Sequence, residues 1–195
     1  MRKSTITRKT RETDIQLELD LDGRGTYEIQ TGVGFFDHML SHLALHGLFD
    51  LELDAKGDLE VDAHHTVEDC ALVLGQAFND ALGERLGLNR LGSAYVPMDE
   101  ALALVVVDLS GRPYTAFQAE WIGTSLGQMP VSMVRHFFNS LAVTMRANIH
   151  AQLLQSEDDH HGAEALFKAL GRALGQATRI DPRRESSIPS TKGTL

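Results

Sequence analysis

The sequence holds a single cysteine, Cys70, so no disulfide can close within the chain and no thiolate pair is available for a structural zinc site. Any metal must be held by nitrogen and oxygen. Positive charge is scarce as well: 18 Lys and Arg stand against 27 Asp and Glu in 195 residues, a formal net charge of −9. Nothing resembles a basic stripe that could release counterions, which argues against nucleic acid and anionic lipid as partners. Long apolar runs are missing too. Ala101 to Val107 is among the longest, far short of the roughly 20 residues that span a bilayer. The polar start Met1-Arg2-Lys3-Ser4 has no signal-peptide core, and the expectation is a cytoplasmic protein with no membrane partner. What is present is an ordinary globular composition, 43% hydrophobic and 23% charged, whose stability must come from a packed core.

Periodicity divides the chain into extended and helical segments. Ile15, Leu17, Leu19 and Leu21 alternate with polar residues, and a second extended run passes through Tyr27 and Ile29. Asp22-Gly23 between them predicts a hairpin. Helical spacing takes over from Phe35 to Leu48 and from about His64 to Leu86, with a strand from Leu48 to Ala55 between them. The second half repeats the order: strands at Ala94–Met98, Ala101–Leu109 and Tyr114–Ala119, a helix over Val131–Met145, a strand at Asn148–Leu154 and a helix over His160–Leu174. Two halves of one design that share a core predict one compact unit, about 1–90 and 91–180, followed by a polar tail over 181–195.

Histidine is unusually frequent, with nine in 195 residues, and its placement repeats. Asp62-Ala63-His64-His65-Thr66-Val67-Glu68 and Asp158-Asp159-His160-His161-Gly162-Ala163-Glu164 open the last helix of each half with the same His-His-x-x-Glu motif. On a helix the first histidine and the glutamate, four residues apart, share a face and can grip one ion. The second histidine is turned away by about 100° and must serve something else, so adjacent histidines can serve two different metals. His38 and His136, early in the preceding helices, extend the set to six imidazoles and two carboxylates, enough for two ions. Without thiolates, Mn and Fe are as suitable as Zn, Co or Ni. Asp62 and Asp158 read as helix caps. Taken singly, His42, His46 and His150 are better read as satisfied polar residues than as ligands.

These motifs, with Gly32-Val33-Gly34-Phe35-Phe36-Asp37-His38-Met39-Leu40, Arg8-Lys9-Thr10-Arg11-Glu12-Thr13 and Pro189-Ser190-Thr191-Lys192-Gly193, resemble the imidazoleglycerol-phosphate dehydratase family over essentially the whole chain. The resemblance implies an α+β fold of two tandem strands-helix-strand-helix pseudo-repeats, the helices packed between two mainly four-stranded sheets. It implies a lyase that converts imidazole glycerol phosphate to imidazole acetol phosphate in histidine biosynthesis. It also implies two Mn2+ ions per site and a homo-oligomer of 24 subunits with sites between protomers. The family's ligand positions fall on His38, His64, His65, Glu68, His136, His160, His161 and Glu164. Its phosphate contacts fall on Arg90, Arg112, Ser190 and Lys192, two guanidinium forks, a hydroxyl and an ammonium suited to a dianion. Glu12 matches a position near the substrate diol. His42 falls at a substrate contact where glutamine is the family's commoner residue.

The chemistry expected of such a site follows from the substrate. The C–H bond that must break has no neighbouring carbonyl to acidify it, whereas a ring held as imidazolate can help expel the adjacent hydroxyl. A carboxylate then takes the proton, with Glu164 the first candidate and Glu12 the second. The tail bearing Ser190 and Lys192 is expected to order over the phosphate when substrate binds. A metal-dependent hydrolase of a small phosphorylated substrate is the alternative reading, since bound ions can also generate hydroxide.

Overall fold

The computed structural model describes residues 2–184 and 187–195. In the first half the strands are β1 (Lys3–Lys9), β2 (Thr13–Asp20), β3 (Tyr27–Gln30) and β4 (Asp50–Gly57), with helices α1 (Gly34–Gly47) and α2 (His64–Leu82). The second half contributes β5 (Leu91–Met98), β6 (Ala101–Asp108), β7 (Tyr114–Gln118), the two-residue strands β8 (Ser125–Leu126) and β9 (Met129–Pro130), α3 (Ser132–Met145), β10 (Asn148–Gln155) and α4 (Asp159–Ala177). The strand orders β1-β2-β4-β3 and β5-β6-β10-β7 are the same arrangement built twice. Each sheet turns one face to the helices: Ile15, Leu17, Leu19, Leu51 and Leu53 in the first, Ala103, Val105, Val107, Ile149 and Ala151 in the second. Helix α2 packs on the first sheet and α4 on the second, while α1 meets α4 and α3 meets α2, so all four helices lie between the sheets in one continuous core. Cys70 is buried in α2, where burial pushes its thiol up in pKa.

The predicted Asp22-Gly23 hairpin does not form. β3 pairs parallel to β4, on the far side of it from β2. Gly23 lies against the start of β4, where a Cβ would come within 2.4 Å of the Asp50 backbone nitrogen. The Asp50 Oδ1 accepts the N–H groups of Arg24 at 2.8 Å and Thr26 at 2.9 Å, folding the connection across the end of β4. A tight two-residue hairpin needs positive φ in its turn, and in this connection only Gly25, at 86°, has it. Three elements lacked a sequence signal: β1 is an edge strand of Lys, Arg and Thr around Ile6, and β8 and β9 are too short for a period.

The two halves also cross their helices alike. Gly75 of α2 sits on α3, where a Cβ would fall 2.5 Å from the Leu141 carbonyl oxygen, and Gly171 of α4 sits on α1, 2.6 Å from that of Leu43. Only glycine allows the backbones so close. Helices α1 and α3 both stop in the left-handed conformation, at Leu48 (φ 60°) and Arg146 (φ 56°).

Candidate active site

The helix N-termini meet in pairs and carry the chemistry. Asp158 caps α4, its side chain accepting from the backbone N–H groups of His160 (2.7 Å) and His161 (3.2 Å). Asp62 likewise accepts from His64 N–H at 2.7 Å, although it stands one residue before the capping position, which is Ala63. Asp159 holds the loop in front of α4 by accepting from Ile122 N–H (2.9 Å) and Gly123 N–H (2.7 Å).

From these starts two groups of donors form. His160 and Glu164, one turn apart on α4, are joined by His38 from α1: Glu164 Oε1 lies 2.9 Å from His38 Nε2 and 3.0 Å from His160 Nε2. Phe35 packs edge-on against the His160 ring at 5.1 Å. The equivalent group, His64, Glu68 and His136, is looser, with both imidazole Nε2 atoms 3.5 and 3.6 Å from Glu68 Oε2. In each group the three donor atoms lie within 4.8 Å of one another. Nitrogen and carboxylate donors at that spacing suit a divalent first-row ion. The Nε2 atom of His136 is buried with no hydrogen-bond partner, an arrangement that costs free energy in a protein interior unless a further group engages the lone pair.

His65 and His161 stand apart from both groups. His65 Nδ1 faces the Asp58 carboxylate at 3.0 Å and His161 Nδ1 faces Glu100 at 2.9 Å. Each hydrogen bond raises the imidazole's pKa above its ordinary value and that to His161 lowers Glu100. A carboxylate on Nδ1 fixes the tautomer and turns a basic Nε2 outward. Glu12, half exposed, lies 3.9 Å from His65 Nε2.

Sequence reading missed Asp58, Glu100 and Lys168. Lys168 lies one turn after Glu164 and places its Nζ 2.5 Å from Oε2, a spacing that could have been noticed as an i,i+4 pair. Burial alone would raise the Glu164 carboxyl, but hydrogen bonds from Lys168 and His38, and the neighbouring His42, outweigh it and hold it at about 2. His42 Nε2 lies 3.2 Å from Glu164 Oε2. Burial depresses His42 to about 4.

The four phosphate candidates lie at the other ends of the helices. The Arg90 backbone N–H bonds the Ala177 carbonyl at the end of α4. Its guanidinium grips Asp108 at 2.7 and 3.0 Å and donates to the Pro189 carbonyl at 2.8 Å. Arg90 and Ser190 line a cavity of about 420 Å³ together with Arg184, Ser187 and Pro189. Arg112 follows Gly111, whose carbonyl accepts from Arg146 at the end of α3, and Gly111 packs against Leu195. The Lys192 backbone N–H bonds Ser190 Oγ at 3.2 Å. From Glu164 to Ala177 is about 20 Å of helix at 1.5 Å per residue.

The sequence profile of the imidazoleglycerol-phosphate dehydratase family matches residues 31–174. A protein of that name from Roseiflexus sp. (strain RS-1) is 56% identical over 194 residues, covering 100% of this chain and 98% of its own. One from Acetivibrio thermocellus is 55% identical, with coverages of 100% and 99%. The crystal structure of imidazoleglycerol-phosphate dehydratase from Staphylococcus aureus N315 superposes with a TM-score of 0.83 at 35% identity, covering 92% of this chain and 99% of that one. The Pyrococcus furiosus structure, in complex with (S)-C348, gives 0.82 at 38% identity, covering 97% and 100%. The protein is thus an enzyme of the hydro-lyase class. It belongs to the imidazoleglycerol-phosphate dehydratase family.

Proposed function

We propose that the chain dehydrates imidazole glycerol phosphate to imidazole acetol phosphate in histidine biosynthesis. The observation that carries this is the pair of His/His/Glu groups built by a duplicated half, in a chain 56% identical over its whole length to a protein named for that activity. On this reading His38, His160 and Glu164 hold one ion and His64, Glu68 and His136 a second, with Mn2+ the expected metal. When bound, the ions would supply Lewis acidity toward the substrate imidazole.

The protein's own groups do the rest. Arg90, Arg112, Ser190 and Lys192 bind the phosphate dianion, and the tail segment bearing Ser190 and Lys192 closes on it. Of the two candidate bases, Glu164 has both oxygens engaged by His38, His160 and Lys168, a placement that suits a ligand more than a base. Glu12, exposed and beside His65, is the better placed to take the proton from the carbon next to the leaving hydroxyl.

The 20 Å of α4 between the metal groups and Arg90 exceeds the roughly 10 Å reach of an extended imidazole glycerol phosphate. That supports sites completed between protomers, with His65 and His161 offered to neighbours, in a homo-oligomer of 24 subunits. No helix among the described residues is long and apolar enough to cross a membrane, in keeping with a cytoplasmic enzyme. The reading is tested by stripping the protein with chelator, reconstituting it with Mn2+ and following both water loss and phosphate release from imidazole glycerol phosphate. About two ions per chain with water loss restored is the expected result; phosphate release without water loss overturns it.

A further inference from the structure

The two halves fasten their first strand pairs to the long helices in different ways. In the first half the carboxylate of Asp69 on α2, only 7% exposed, accepts the Thr13 hydroxyl at 2.5 Å and pairs with the Arg8 guanidinium through the same oxygen. The repeat shows what the fold alone asks for at this place. Arg8 of β1 stands opposite Ile15 of β2, and its counterpart, opposite Ala103 of β6, is Val96 of β5. Thr13 opens β2 as Ala101 opens β6, and Asp69 follows the motif glutamate of α2 as Ala165 follows that of α4. Val96, Ala101 and Ala165 are all buried. An apolar packing therefore serves in the twin half, and apolar replacement of such an ion pair is often neutral or stabilising. The fold does not require the polar triad.

What the triad adds is a grip on the turn between β1 and β2. An ionised carboxylate only accepts, so Thr13 gives its one hydroxyl proton to Asp69 and receives one from Thr10, whose Oγ1 lies 3.2 Å away. Thr10 Oγ1 in turn accepts the backbone N–H groups of Glu12 at 3.1 Å and Thr13 at 3.0 Å. Hydrogen bonds thus run unbroken from Asp69 to the backbone of Glu12. The corresponding turn residue of the other half, Glu100, is held through its side chain by His161. Glu12 is not: Asp58 takes Nδ1 of His65, and the Glu12 carboxylate stands 3.9 Å from Nε2, half exposed on a fastened backbone.

We propose that Asp69 is a positioning residue for the reaction, fixing with Arg8 and Thr13 the turn that presents Glu12 to the substrate carbon. This rests on the reading that Glu12 takes the proton. A reacting group displaced by about 1 Å costs on the order of 100-fold in rate.

The test is a mutant cycle in the Mn2+-loaded full-length protein, with water loss from imidazole glycerol phosphate as the assay. One variant, R8V/T13A/D69A, installs the residues of the twin half; D69N removes the charge at constant shape and keeps the cycle readable if the triple variant does not fold. Each is made with and without E12Q. The expected result is kcat lowered at least tenfold in both variants, with KM within about twofold and the parent's ions per chain. Adding E12Q lowers kcat no further, the non-additivity of residues acting through one group. In the metal-free protein the Glu12 and Thr13 amides exchange with deuterium at least tenfold faster than in the parent. Losses that multiply with that of E12Q, or parent-like exchange, overturn the proposal. So does a parent-like kcat in D69N while E12Q is slow. If E12Q itself turns over at the parent rate, the base assigned above falls and this inference with it.

Discussion

Glu100, in the turn between β5 and β6, places its carboxylate 2.9 Å from Nδ1 of His161 on α4. Asp58, just after β4, does the same for His65 on α2. Neither acid belongs to a three-donor cluster, yet each decides where an imidazole Nε2 points. If His65 and His161 complete metal sites, Glu100→Ala and Asp58→Ala weaken metal binding about 10- to 100-fold while the far-ultraviolet spectrum is unchanged. Equilibrium dialysis against Mn2+ checks it.

The glycine crossings set the spacing of the helix pairs. A methyl group on Gly75 meets Thr144 Oγ1 at 2.2 Å and the Leu141 carbonyl at 2.5 Å, and one on Gly171 meets the Leu43 carbonyl at 2.6 Å. Gly75→Ala and Gly171→Ala each cost about 1–3 kcal/mol by overpacking. For a chain of this size that lowers the melting temperature by about 2–4 °C per kcal/mol. Calorimetry of the two variants gives the answer, and an unchanged melting temperature in both refutes the close approach.

Arg85, only 5% exposed, is the buried Lys or Arg among the described residues. Its guanidinium donates to the carbonyls of Leu109 (2.9 Å), Met145 (2.8 Å) and Arg146 (3.3 Å) and to Asn79 Oδ1 (2.9 Å), tying the end of α3 to the stretch after α2. Arg85→Met keeps the bulk but strands those acceptors, at about 3 kcal/mol in all. Arg85→Lys recovers part of it, because an ammonium cannot reproduce the planar fork. Urea unfolding ranks the three proteins: parent, Lys, Met.

Asp50 is held at about 2 by the Thr26 hydroxyl and by the backbone N–H groups of Arg24 and Thr26. A carboxyl lowered in the folded state adds stability that is complete above its unfolded value near 4 and is lost as pH falls toward 2. Asp50→Asn therefore unfolds with a shallower dependence on acid between pH 4 and 2 than the parent, as circular dichroism across that range will register.

Much of this was legible because periodicity and duplication are properties of the chain itself. Phe36, Met39, Leu40 and Leu43 mark the buried face of α1 and fall at helical spacing. The His-His-x-x-Glu repeat marked both cluster helices because an i,i+4 grip is local geometry. What escaped depends on contacts between distant segments. Asp22-Gly23 carries a turn signal, but the Asp50 side chain, 27 residues beyond Gly23 in sequence, decides where the chain goes next. Glu100 reaches His161 across 61 residues with no motif to announce it. β1 has too little apolar alternation to be seen and is held by pairing with β2 along its whole length.

The helix length that separates Glu164 from Arg90 also bears on inheritance. If each working centre draws its metal end from one chain and its phosphate end from another, a chain damaged at one end still lends a sound opposite end to its neighbour. Two alleles, one crippled at His160 and one at Arg90, then restore a fraction of intact centres when co-assembled, while two alleles crippled at the same end restore none. Complementation between alleles thus becomes a property written into the length of α4.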